Sequence, residues 1–194
     1  LEYQRDRLGY KIPDTKEYCI DAEDGSDIYL TIDSNIQRFL ESAVKEVESE
    51  YQPEWMMIHV MDAKTGDILG TASTPSFDPN VRDITNYENP LVSYVYEPGS
   101  TMKTFTYMCA MEKGTYKGDD TYLSGNFKIG EDTVYDWNRT GWGTITYDKG
   151  YEYSSNVGIA NLLDRYLSKK DLKDCLTKYG FGETTGIELS REQD

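Results

Sequence analysis

Histidine is nearly absent from this chain: one residue in 194, His59. A Ser-His-Asp triad would depend on it alone. It sits inside the apolar run 55–61, where a satisfied core histidine is the expectation. Cysteine is also scarce. Cys19, Cys109 and Cys175 form no Cys-x-x-Cys pair, which excludes the common zinc and dithiol redox motifs. Their odd number leaves at least one free thiol in a monomer, and nothing in their spacing suggests a disulfide framework. Cys109 lies in an apolar helical stretch and reads as a small core residue. No apolar run approaches the ~20 residues that span a bilayer, and no signal peptide opens the chain; this is read as a soluble piece. Basic residues are in deficit, 20 against 35 acidic ones, for a net charge of -15. So acidic a surface disfavours nucleic acid and anionic membrane, and reads as a solvated exterior.

What remains is the composition of an ordinary globular protein, 38% hydrophobic and 28% charged. The length suits one compact domain and hardly two. Residues 1–26 are polar and irregular and read as an arriving linker. The β-branched and aromatic residues 28–32 predict a short strand. Asp33 or Ser34 caps a helix whose apolar face carries Ile36, Phe39, Leu40, Ala43, Val44 and Val47. The runs 55–61 and 68–72, separated by a Thr-Gly turn, predict a β-hairpin. Residues 74–94, rich in Pro, Asn and Asp, form a long surface connection. A helix is expected from Ser100 until Gly114 stops it. Loops and short strands follow over 114–150, then helices over 155–167 and 170–179.

The chemistry concentrates in Glu97-Pro98-Gly99-Ser100-Thr101-Met102-Lys103. The Pro-Gly break delivers Ser100 to a helix N-terminus, and Lys103 follows one turn later on the same face. A serine hydroxyl is a poor nucleophile until a base takes its proton. A partly desolvated lysine can be that base. The positive end of the helix favours the oxyanion formed on attack. Ser-x-x-Lys alone is common by chance, and Ser42 with Lys45 spells it too. That second pair lacks a preceding turn and reads as a solvated helix face. A further segment, Ser154-Ser155-Asn156, precedes an apolar helix. It reads as an N-cap by itself. Beside Ser100 and Lys103, it offers a hydroxyl to relay protons and an amide to hold a peptide carbonyl.

Taken in this order, Ser-x-x-Lys and then Ser-x-Asn, the motifs resemble the transpeptidase domain of class B penicillin-binding proteins. The resemblance runs through residues 27–37, 62–72, 96–103, 154–158 and 179–189, the last reading Tyr-Gly-Phe-Gly-x-x-Thr-Gly-Ile-x-Leu. The opening Leu1-Glu2-Tyr3 resembles the exit from that family's non-catalytic pedestal. The resemblance implies an α+β fold of the serine acyl-transferase type, with an antiparallel sheet and a helical region. Residues 1–26 would be the linker and 27–194 an incomplete transpeptidase domain. It implies that Ser100 attacks the penultimate D-alanine of a peptidoglycan stem peptide. Lys103 would activate Ser100, Ser154 relay protons, and Asn156 and Trp137 bind substrate. β-Lactams would be covalent inhibitors, and cell-wall synthesis or division proteins would be partners. No cofactor, metal or nucleic acid is implied. The parent protein would sit at the extracytoplasmic face of the bacterial membrane, anchored by an upstream segment.

The family's third motif, Lys-Ser/Thr-Gly, belongs after Ser-x-Asn. Lys64-Thr65-Gly66 spells it, but ahead of Ser100 and in a hairpin turn, so it reads as a decoy. The expectation is a fragment ending before the true motif, with weak or absent activity of its own. Two other readings stay open: a β-lactamase or β-lactam sensor, and a non-catalytic cell-wall scaffold.

Overall fold

The computed structural model describes residues 3–16, 21–189 and 191–192. The chain divides into two compact units, Leu1–Ser76 and Phe77–Asp194. The first contains α1 (Ser34–Tyr51) and a hairpin of β1 (Met56–Met61) and β2 (Ile68–Thr74). The second begins with the short α2 (Pro90–Ser93), a 3-10 turn (Gly99–Thr101) and α3 (Met102–Glu112). The strands β3 (Thr121–Leu123), β4 (Asn126–Ile129), β5 (Asp132–Tyr135) and β6 (Thr144–Thr146) follow. The helices α4 (Tyr147–Glu152), α5 (Asn156–Arg165) and α6 (Lys169–Lys178) complete it. All ladders among the described residues are two-stranded and antiparallel: β1–β2, β3–β6 and β4–β5. The expected α+β class holds. Among the described residues no helix is long and apolar enough to cross a membrane.

In the first unit, Asp33 caps α1 by accepting from the backbone N–H of Asn35 (2.8 Å) and Ile36 (3.0 Å). Those two donors hold its carboxyl below the ordinary value, the Ile36 bond contributing most. Leu40 and Val44 are buried, with Ile36, Ala43 and Val47 half-buried beside them. Phe39 departs from expectation and is 75% exposed. At about 100° per residue it falls roughly 85° from the centre of that stripe, at its edge. The Gln37 side chain ties the helix to β2, donating to Thr71 O (2.8 Å) and accepting from Thr71 N (2.9 Å).

Two further expectations are corrected here. Residues 28–32 form no strand. The segment meets β2 through the Thr31 hydroxyl, which donates to Ile68 O (2.6 Å), and through Asp33 N, which donates to Leu69 O (2.8 Å). Ile28, Tyr29 and Leu30 are 84%, 91% and 76% exposed. β-propensity describes fit to a half-buried pleated surface, and no such surface meets these residues. His59 is exposed on β1 and is no core histidine, because side chains alternate along a strand and Ile58 and Val60 take the inward face.

The second unit packs around Tyr107, Cys109, Ala110, Tyr122, Tyr147, Val157, Leu162, Tyr166 and Leu167. Buried tyrosines need partners for their hydroxyls. Tyr107 donates to Tyr147 O (3.0 Å), Tyr116 to Asp148 (2.6 Å) and Tyr166 to Asp120 (2.5 Å). Burial pushes the Tyr122 phenol up to about 12. Gly114, at φ 75, takes the left-handed position that ends α3, as expected. Cys109 is buried as predicted but is no free thiol: it forms a disulfide with Cys175 of α6. The residues are 66 apart in sequence, and their pairing depends on α6 folding back against α3, which spacing alone cannot reveal. Cys19 lies outside the described residues. α6 opens with a capping box between Ser168 and Asp171.

Candidate active site

Gly99 stands at φ 59, a region that favours glycine. That turn places Ser100 in the 3-10 segment feeding α3, so the α-helix itself begins at Met102, two residues later than expected. Residues three apart lie on one face of either helix type, so Ser100, in the 3-10 segment, and Lys103, in the first turn of α3, share a face. The Ser100 hydroxyl is exposed and makes no hydrogen bond among the described residues.

Lys103 reaches across from α3 to the turn before α5. Its ammonium donates to Ser154 O (2.6 Å), Ser154 Oγ (3.1 Å) and Asn156 Oδ1 (2.7 Å). All three donors of an ammonium are thereby used. Burial holds the Lys103 pKa below the ordinary 10.5, and the Asp136 carboxylate offsets part of that effect. Ser154 presents both of its oxygens because it sits at φ 53, a left-handed conformation uncommon outside glycine. Ser155 caps α5, accepting from Gly158 N at 2.8 Å. The N-cap reading of this segment is thus realised on Ser155, while the adjacent Ser154 and Asn156 face Lys103.

Asn156 is engaged at both ends of its amide. Oδ1 faces Lys103, and Nδ2 donates to Tyr135 O at 3.0 Å, which leaves one N–H for a ligand. Trp137 is 68% exposed; its indole N–H donates to Tyr153 O (3.0 Å), and its ring meets Trp142 edge-on at 5.8 Å. It stands one residue from the Ser154 turn through that bond, outside the Lys103 hydrogen-bond cluster.

The decoys separate cleanly. Ser42 and Lys45 are exposed on α1, where the Ser42 hydroxyl donates to Arg38 O at 2.9 Å. Lys64-Thr65-Gly66 lies in the β1–β2 turn, where Asp62 accepts from Lys64 N (2.7 Å) and Thr65 N (3.1 Å). Sequence reasoning did not give a role to Asp136, which accepts from Ser155 and Val157 beneath the site. An aspartate before an exposed tryptophan carries no sequence signal for that. Among the described residues no group of His, Cys, Asp and Glu could hold a metal.

The family model for the penicillin binding protein transpeptidase domain matches residues 56–194. The chain belongs to that family. Stage V sporulation protein D of Bacillus subtilis is 35% identical over 198 residues, covering 99% of this chain and 30% of its own length. The peptidoglycan D,D-transpeptidase FtsI of Escherichia coli K12 is 26% identical over 193 residues, 98% of this chain and 32% of its own. The crystal structure of penicillin-binding protein 2X from Streptococcus thermophilus superposes with a TM-score of 0.84 at 29% identity. It covers 99% of this transpeptidase-family chain and 29% of the other. The chain thus spans about a third of the length of the relatives it matches.

Proposed function

We propose that this chain carries the acyl-serine centre of a peptidoglycan D,D-transpeptidase. The observation that carries the proposal is the Lys103 ammonium, held by Ser154 and Asn156 one helical turn from an exposed Ser100. Lys103 in its neutral form takes the Ser100 proton as Oγ attacks the penultimate D-alanine carbonyl of a stem peptide. The C–N bond to the terminal D-alanine breaks, and the proton passes through the Ser154 hydroxyl to the leaving amine. An amine of a second stem then attacks the ester, gives up a proton along the same route, and returns Ser100. Asn156 and Trp137 line the approach of the peptide. A β-lactam opens its ring amide on Ser100 and stays as the ester.

The Cys109–Cys175 disulfide supports a location outside the cytoplasm, since such bonds persist in oxidising compartments. The wall peptide is found there, as would be the cell-wall synthesis proteins proposed as partners.

The test is intact mass after incubation with excess benzylpenicillin, on the native protein that carries this sequence. One stable adduct, lost in Ser100→Ala, is the expected result. A folded protein with no adduct overturns the proposal in favour of a scaffold, and an adduct that turns over rapidly points to a β-lactamase.

A further inference from the structure

Asp136 is 1% exposed and forms no ion pair among the described residues. A buried carboxylate is costly unless donors replace its water. Three do: Gly125 N on Oδ2 at 2.7 Å, and Ser155 Oγ (2.7 Å) and Val157 N (3.1 Å) on Oδ1. Val157 lies in the first turn of α5, where the helix favours negative charge. Asp136 is itself fixed from the other side, its N–H donating to Gly125 O at 3.1 Å. The preceding residue joins the grip, because Tyr135 O accepts the Asn156 amide. Residues 155, 156 and 157 are thus each bonded to the pair 135–136.

This grip sits against the strained point of the site. Ser154 at φ 53 aims its carbonyl and hydroxyl at Lys103. An uncommon backbone conformation persists where its surroundings over-determine it. Here Ser154 N donates to Tyr151 O (2.9 Å), Ser155 N to Gly150 O (2.8 Å), and the Ser155 side chain to Asp136. The α4 side offers backbone acceptors only. Among the described residues Asp136 supplies the one charged anchor of this turn.

We propose that Asp136 is a positioning residue of the acyl-serine reaction: it holds Ser155 and the first turn of α5 so that Ser154 and Asn156 stay aimed at Lys103. The inference rests on the acyl-serine reading above. Its charge has a second effect. The Asp136 carboxylate favours the Lys103 ammonium and so offsets part of the effect of burial. Hydrogen bonding can therefore be removed without the charge, whereas removing the charge also costs one acceptor. Asp136→Asn keeps the volume and one acceptor but loses the charge. Ser155→Ala loses one anchoring bond and keeps the charge.

The experiment compares these variants with the native protein in two readouts. One is the rate constant for benzylpenicillin acylation across pH. The other is the titration of Lys103 followed by 13Cε chemical shift, which needs no acylation. Asp136→Asn is expected to acylate about tenfold more slowly or worse, with its rising limb and the Lys103 midpoint both moved to lower pH. Ser155→Ala is expected to slow acylation several-fold with limb and midpoint in place. A folded Asp136→Asn protein with native rate and native Lys103 midpoint overturns the proposal. So does one that melts earlier but is otherwise unchanged, since that is a structural role alone. If Asp136→Asn fails to fold, a native rate in Ser155→Ala overturns it. If the native protein forms no adduct while the Lys103 midpoint still moves in Asp136→Asn, the acyl-serine reading fails and the hold on Lys103 stands.

Discussion

An ammonium whose three N–H bonds are all occupied has no lone pair to offer a serine. Lys103 is in that position, so its usefulness as a base depends on losing a proton within the working pH range. Burial supplies the bias by lowering its pKa below 10.5. The sign follows directly. Acylation should rise with pH as Lys103 deprotonates and level off below 10.5, not at it. In the same window the unfolded chain binds the extra proton, so stability also rises with pH there. Lys103→Arg keeps the charge but stays protonated at all usable pH, and it should remove the limb together with nearly all acylation. A limb that survives in Lys103→Arg would assign the base elsewhere. The meeting of Lys103 with Ser154 and Asn156 was legible because each belongs to a short spaced motif at a helix start, Ser-x-x-Lys after a Pro-Gly break and Ser-x-Asn before an apolar helix. Asp136 was not, because its role depends on a loop folding back from β5 beneath α5, a contact with no local pattern. The two-ended engagement of Asn156, accepting from Lys103 while donating to Tyr135, was hidden for the same reason.

Helices and hairpins were read well where periodicity is local. The β1–β2 hairpin, α1, α3, α5 and α6 fall within a few residues of their expected bounds, because each has its own cap or turn. Residues 28–32 failed because a strand needs a continuous backbone ladder and a surface to cover, and this segment meets β2 through the Thr31 hydroxyl alone among its described residues. The disulfide failed because it joins two elements distant in sequence. That pairing of α3 with α6 carries its own prediction. A closed loop of 66 residues removes chain entropy from the unfolded state, on the order of 4 kcal/mol before strain and residual structure are counted. Other ties between these helices among the described residues include the pairs Lys113–Asp171 (2.6 Å) and Lys178–Glu112 and the Tyr179 hydroxyl on Glu112 (2.9 Å), all partly exposed and individually weak. The Phe105–Phe181 edge contact at 4.8 Å adds packing just beyond α6. Reduction should therefore lower unfolding stability by about 2–4 kcal/mol, read as a lower urea midpoint with little change in slope. An unchanged midpoint after complete reduction would locate the stability of this region in packing alone.

At the scale of the whole molecule, two properties oppose one another. The net charge of -15 disperses the protein. Against it stand many exposed large apolar side chains, among them Tyr29 (91%), Ile28 (84%), Val95 (82%) and Phe39 (75%). Single exposed apolar residues are ordinary, but Ile28, Tyr29 and Leu30 are consecutive and can seed association. Charge repulsion should then be what keeps chains apart at neutral pH. Lowering the pH protonates carboxylates and brings the charge to zero near 4.4. Light scattering at constant protein concentration should rise as pH falls from 7 toward that value, while far-UV circular dichroism stays native at the onset. Adding about 1 M salt at pH 7, where the screening length is about 3 Å, should produce part of the same rise. Scattering that tracks loss of secondary structure instead, with no response to salt at pH 7, would show that unfolding, rather than lost repulsion, drives the association.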